Sequence, residues 1–200
     1  MTEAAETTIA RLKVTLDDVE PPVTRRLEVP LGIRLDRLHL TLQAALGWTD
    51  SHLWEIRARD VAWGIPDPGW PDGPLSARKA TLWDVIEDTG AKTLHYLYDF
   101  GDGWEHTIKL LGIDDGEPGT AYPVLLDAKG RCPPEDIGGP WGYADFLEAI
   151  EDPCHERHEE FTEWYQADFD PNDTPTQDLK AAVAKLAKRW NRKPRKKQRR

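Results

Sequence analysis

Asp99, Asp102 and His106 stand close together in Tyr98-Asp99-Phe100-Gly101-Asp102-Gly103-Trp104-Glu105-His106. Two carboxylates beside an imidazole form a set for proton transfer, because an unperturbed histidine changes charge near neutral pH. A second polar stretch, Cys132-Pro133-Pro134-Glu135-Asp136-Ile137-Gly138-Gly139-Pro140-Trp141-Gly142, adds Glu135 and Asp136. Its prolines restrict φ and its paired glycines permit sharp reversal, so it reads as an ordered loop of the kind that carries function. If both stretches meet at one sheet edge, Asp99, Asp102, His106, Glu135 and Asp136 line a ligand pocket or serve an acid/base or metal-dependent hydrolase. Trp104 and Trp141 would then supply apolar walls. The plainer alternatives are an Asp-Gly turn over a core Trp104, and a rigid cap with Trp141 packed beneath it.

Metal chemistry has its own candidates. Cys154-His155-Glu156-Arg157-His158 offers a thiol and two imidazoles, with His155 and His158 on one face if the segment is helical. With Cys132, these side chains (Cys132, Cys154, His155 and His158) could hold zinc, although the spacing matches no zinc finger. Solvated histidines at a helix start are the alternative. Asp168, Asp170 and Asn172 begin like a calcium loop, but Asp173 replaces the turn glycine and Leu179 replaces the bidentate glutamate. With only two cysteines, a disulfide framework is excluded and reduced thiols are expected.

The elements that must position these groups follow from periodicity. Ala10, Leu12, Val14 and Leu16 alternate with polar residues, and Val23, Leu27 and Val29 repeat the pattern after Glu20-Pro21-Pro22, which predicts a hairpin. Leu35, Leu38, Leu42 and Ala45 mark a helix over about 34–46, closed by Gly47. Two strands are expected at 52–58 and 61–65, and a Pro/Gly-rich surface loop at 66–74. Thr81 and Asp84 form a capping box before a short helix that Gly90 ends. Leu94 to Phe100 and Trp104 to Leu110 alternate around Gly101-Asp102-Gly103, predicting a hairpin that carries the first motif at its turn. One more strand near 122–126 precedes helices at 143–150, 158–165 and 179–190. With hairpins and no βαβ repetition, the expected fold class is α+β: a mainly antiparallel sheet built from hairpins and packed with several helices. Of the nine tryptophans, six or more are expected in the core.

Charge divides the chain. All 36 acidic residues precede Lys188, and nine of the 26 basic residues follow: Lys188, Arg189, Arg192, Lys193, Arg195, Lys196, Lys197, Arg199 and Arg200. The tail is therefore +9 and the remainder, with 17 basic against 36 acidic, is −19. Such a tail can neutralise phosphates and bind nucleic acid without regard to sequence, or it can simply be solvated or fold back on the acidic body. The expected organisation is a disordered segment 1–8, one domain over 9–187 and a basic tail over 188–200. No apolar run is long enough for a membrane span, and mean hydropathy is −0.64. The opening residues lack the features of a secretory or transit peptide, so a cytoplasmic location with no membrane partner is expected.

Gly47-Trp48-Thr49-Asp50-Ser51-His52-Leu53, the Tyr98–His106 hairpin and the Cys132–Tyr143 stretch, in that order, resemble the plasmid pRiA4b Orf-three-like family. Members of that family are also labelled passenger TnpR proteins of insertion elements. The resemblance runs from about Ile9 to Asp170 and implies an α+β fold and a mobile-element origin, with no settled activity. A serine recombinase would need a nucleophilic serine among arginines. Here Ser51 has Asp50 and His52 beside it, but neighbouring side chains on an extended segment point to opposite faces. Phosphate-loop and nucleophile-elbow motifs are missing. The expectation is a plasmid or mobile-element binding or accessory module with an unidentified protein or nucleic-acid partner. Its polar pocket would lie between the 99–106 hairpin and the 132–142 loop. The alternatives are a hydrolase using the same carboxylates and His106, and nucleic-acid association through the tail.

Overall fold

A computed structural model describes residues 7–166 and 168–191. The N-terminal hairpin pairs β1 (Thr8–Leu16) with β2 (Val23–Pro30), and the alternation of apolar even and polar odd positions from Ala10 to Leu16 puts one side of the pair in the core. Helix α1 (Leu35–Leu46) follows and ends at Gly47, whose φ of 91° is the left-handed cap that glycine adopts without Cβ strain. Leu35, Leu38 and Leu42 are fully buried, and each contributes roughly 1.5–3 kcal/mol on leaving water. Strands β3 (Trp54–Ala58) and β4 (Val61–Gly64) form the next hairpin, followed by the two-residue β5 (Leu75–Ser76), which the sequence pattern did not predict. Helix α2 (Leu82–Thr89) starts in the expected capping box: Asp84 N–H donates to Thr81 Oγ1, and Thr81 N–H donates to the Asp84 carboxylate.

The hairpin of β6 (Thr93–Tyr98) and β7 (Trp104–Asp115) carries the first motif at its turn, and β8 (Val124–Lys129) completes the sheet. Helices α3 (Gly139–Glu151), α4 (His158–Tyr165) and α5 (Thr176–Trp190) close the described chain. The sheet order is β5-β4-β3-β6-β7-β1-β2-β8, antiparallel except between β4 and β5, so the α+β class and the antiparallel hairpin plan hold. The N-terminal hairpin inserts between β7 and β8, an order that periodicity does not encode. Arg25 of β2 donates to Ala45 O of α1, which places that helix on the apolar side, and α5 packs on α1 and β8. Thr8, expected in the unstructured leader, begins β1; residues 1–6 of that segment lie outside the described residues. Among the described residues no helix is long and apolar enough to cross a membrane.

A candidate cation site where three loops meet

Three loops converge at the end of the sheet where β6 turns into β7. The first, residues 47–53, leaves α1 at Gly47 and is tied down by Trp48, whose indole N–H donates to Pro133 O at 3.0 Å. Ser51 N–H donates to Tyr98 Oη at 3.0 Å, and the Tyr98 hydroxyl donates to Glu135 Oε1 at 2.5 Å. Thr49 also meets the Glu135 carboxylate, through both its backbone N–H and its hydroxyl. The second loop is the β6–β7 turn. Asp99 Oδ1 accepts from Gly101 N–H at 3.0 Å, and Asp99 N–H donates to Leu53 O at 2.9 Å, joining the turn to the first loop. The third is residues 132–138, where Gly138 N–H donates to Asp102 Oδ2 at 3.1 Å. Gly139 lies so close that a Cβ there would stand 2.2 Å from Asp102 O.

His52 sits where the three meet. Its Nδ1 is 3.5 Å from Asp99 Oδ2, and its Nε2 is 3.2 Å from Asp136 Oδ1 without an aligned hydrogen bond. One ligand atom from each of His52, Asp99 and Asp136 lies within 4.8 Å of the others, and among the described residues no other group of three His, Cys, Asp or Glu is so gathered. Asp99 and Asp136 have φ of 57° and 61°, a left-handed backbone that aspartate tolerates better than most residues. Such strain persists where neighbouring contacts over-determine the conformation. Asp136 is largely exposed at 71%, whereas Asp99 and His52 side chains are 11% and 26% exposed, so the group opens to solvent on one side. Burial, reinforced by the Glu135 carboxylate, raises the Tyr98 phenol above its ordinary range, so Tyr98 remains a hydrogen-bond donor.

A second polar network braces the first loop from inside. Gln43 Nε2 donates to Tyr96 Oη at 2.9 Å, Tyr96 Oη is 2.8 Å from His39 Nδ1, and His39 Nε2 is 2.6 Å from Asp50 Oδ1. Asp50 N–H returns to Gln43 Oε1 at 2.9 Å, closing a ring. The Gln43 bond leaves the tyrosine hydrogen for His39 Nδ1, which assigns the His39 proton to Nε2, facing Asp50. Burial lowers the His39 pKa, against the opposing pull of Asp50. The His39 ring stacks on Trp54 with centroids 4.0 Å apart. Asp50 thus has φ of 60° yet is held at both its backbone and its carboxylate.

The sequence-derived candidates separate sharply. Asp99 and Asp136 join the cluster, and Glu135 serves as the clasp between loops. Asp102 faces the N-terminus of α3, where its carboxylate receives an otherwise unpaired helix N–H. His106 does not reach this group: it is fully buried in β7, with Nδ1 3.0 Å from Tyr96 O and 3.1 Å from Trp104 O, and burial lowers its pKa to about 4. The alternation that put Trp104 and His106 on one face was correct, and that face is the core. Trp104 is fully buried and offers no wall to a ligand; Trp141 is 89% exposed and is not packed beneath the loop.

The four-residue zinc set is corrected as well. Cys132 is buried, its sulfur receives Arg25 Nη2 at 3.3 Å, and burial pushes its thiol up to about 11, whereas Cys154 is exposed. His155 Nε2 lies 3.6 Å from Asp145, and His158 Nδ1 donates to Ala149 O at 2.7 Å. Cavities of about 900, 460 and 220 Å3 are lined by other residues than His52, Asp99 and Asp136. The hairpin turn and the 132–142 loop meet in direct contact instead of flanking a pocket. Of the basic tail, Lys188 and Arg189 occupy the last turn of α5, and Arg192, Lys193, Arg195, Lys196, Lys197, Arg199 and Arg200 lie outside the described residues.

Sequence reasoning missed His52 as a site residue. Its signal was present in the Gly47–Leu53 motif, but Asp50, Ser51 and His52 were weighed as one catalytic set, whereas Asp50 and His52 serve different networks.

The fold and the loop cluster define an α+β protein with one open sheet and a histidine–carboxylate group at one end. The chain belongs to the Plasmid pRiA4b ORF-3-like protein family, whose match covers residues 8–178. It is 56% identical over 192 residues to the uncharacterised protein y4hQ of Sinorhizobium fredii (strain NBRC 101917 / NGR234), covering 94% of this chain and 97% of that one. The crystal structure of MM3350, a protein of unknown function from Methanosarcina mazei Go1, superposes with a TM-score of 0.78 at 32% identity. That match covers 87% of this chain and 98% of the other.

Proposed function

We propose that this protein is a binding module whose site takes a divalent transition-metal ion through His52, Asp99 and Asp136. The observation that carries this reading is the gathering of one imidazole nitrogen and two carboxylate oxygens, from three separate loops, within 4.8 Å of one another. One imidazole nitrogen with two carboxylate oxygens is a donor set that Zn2+ and Mn2+ both accept, whereas Ca2+ and Mg2+ prefer oxygen alone. Only three protein ligands leave coordination positions for water or a bound partner group. The Glu135 clasp with Tyr98 and Thr49 fixes the third loop, and the Asp50–His39 ring fixes the first, so both supports act on ligand position.

The test is native mass spectrometry and calorimetric titration of the full chain with Zn2+ and Mn2+. The expected result is one ion per chain. His52→Ala and Asp136→Asn are each expected to weaken binding at least tenfold, with unchanged circular dichroism, whereas Cys132→Ser and Cys154→Ser leave it intact. No bound ion, or binding indifferent to Asp136→Asn, overturns the reading and leaves His52 as a strut between two loops.

A further inference from the structure

The side of the sheet turned away from α1 carries an ordered set of cations. Lys13 of β1 is the direct register partner of Arg26 in β2 and of Lys109 in β7. All three are exposed, and among the described residues none lies within 4 Å of a carboxylate. Like charges directly opposite one another destabilise a strand pair, so this row is unfavourable within the isolated fold.

A second row lies two residues along the strands on the same face. Its register runs Arg57, His95, Thr107, Thr15, Thr24 and Lys129, across six adjacent strands. Arg57, His95 and Lys129 are exposed, and the threonines are half-buried. Neighbouring strands are about 4.8 Å apart, so the two rows form a grid of donors with close and regular spacing. Acidic groups border it: Asp127 opposes Arg26, Glu28 follows Arg26 by two positions, Glu105 precedes Thr107 by two, Glu55 pairs with Arg57, Asp17 accepts from the Thr107 hydroxyl and Asp114 pairs with Arg11. Lys13 and Lys109, at the centre, have no acidic cross-strand partner.

We infer that this sheet face binds the phosphodiester backbone of nucleic acid, with Lys13, Arg26 and Lys109 as the phosphate contacts and Thr15 and Thr24 as hydroxyl donors. The exposed Leu111 of β7 and Leu126 of β8 adjoin the two rows, but the rows themselves contain no apolar side chain, and protein interfaces are depleted in lysine and built around an apolar centre, so a protein partner fits the centre of this face poorly. Phosphate contacts draw on the side chains found here: lysine, arginine and threonine. The charge of −19 on the chain outside the tail opposes long-range attraction, but at physiological ionic strength charges more than about 8 Å away are largely screened. Binding is therefore short-range, independent of base sequence and weak. It draws on neither the cation site nor the basic tail.

Fluorescence anisotropy of a labelled 20-base-pair duplex and of its single strand, titrated with the full chain between 50 and 200 mM salt, tests this. The comparison protein carries Lys13→Gln, Arg26→Gln and Lys109→Gln together and keeps the tail. These are exposed positions, and thermal unfolding confirms that the variant is folded. On the duplex, the slope of log affinity against log salt is expected to become shallower by about 2.7, from about 0.9 for each of three phosphates lost. On the single strand the change is about 2.1, from about 0.7 each. Unchanged slope and affinity overturn the inference. Equal loss of binding to poly-glutamate also overturns it, because the face would then be a general polyanion surface.

Discussion

His106→Phe separates a core histidine from a proton-transfer residue. The imidazole is fully buried, its Nδ1 faces two backbone carbonyls and its Nε2 has no partner, so the neutral Nδ1–H form fits the site and the charged form does not. Burial moves its pKa from 6.5 to about 4, and at 1.36 kcal/mol per unit this shift is worth about 3 kcal/mol. The sign follows from proton counts. Between pH 6.5 and 4 the unfolded chain binds a proton at this position and the folded chain does not, so acid favours unfolding. The stabilisation is complete above about pH 6.5 and is lost as pH falls through about 4. Urea unfolding at pH 7.5, 5.5 and 4.5 reads it. The wild type is expected to lose about 2.5 kcal/mol more than His106→Phe across that range, which stops short of the folded pKa, whatever the variant loses at neutral pH by removing its N–H donor. His39 and the carboxylates remain in both proteins, so the difference isolates His106. Equal pH slopes, or a His106 imidazole resonance, assigned by its disappearance in His106→Phe, that titrates near 6.5 in the folded wild type, would refute the burial argument.

Gly139→Ala is expected to separate the third loop from the β6–β7 turn, because the new Cβ would overlap Asp102 O and the φ of 70° disfavours alanine by about 1 kcal/mol before any clash; lowered Tm together with weakened Zn2+ affinity is the expected pair of readouts. Tyr96→Phe leaves Gln43 Nε2 and His39 Nδ1 without their hydroxyl partner and is expected to lower stability by about 1–3 kcal/mol in denaturant titration. Thiol titration at pH 7.5 should find Cys154 reacting at once and Cys132 only after unfolding, since burial holds the Cys132 thiol protonated. Rapid reaction of both in the folded protein would contradict the packing under Arg25.

The hairpins, the capping box at Thr81 and the glycine closing α1 were readable because each depends on a few neighbouring residues. Strand order was not, since the insertion of β1 and β2 between β7 and β8 depends on pairing between distant segments. The meeting of Asp99, Asp102, Glu135 and Asp136 was legible as a condition on two motifs sharing a sheet edge, and the Asp102–Gly138 bond meets that condition. His106 was misplaced because a histidine in an alternating strand looks the same whether its face is wet or dry. Nothing local distinguishes Cys132, tucked against a buried arginine, from a cysteine facing a partner ligand. Trp141 failed in the opposite sense: an aromatic residue beside prolines and glycines suggested packing, yet its place in the first turn of α3 turns it to solvent.

The central place of the N-terminal hairpin constrains the order of events during synthesis. Val14 pairs with Ile108, 94 positions later, so β1 cannot meet its second neighbour until more than half the chain has been made. At translation rates of about 5–20 residues per second, that delay is roughly 5–20 s. Throughout it, the edge of β1 opposite β2 has no strand partner, although α1, complete by Leu46, is already available to cover the apolar side of the hairpin. A nascent chain of this protein therefore carries an open strand edge, and escape from aggregation depends on how soon residues 104–115 emerge to pair with it.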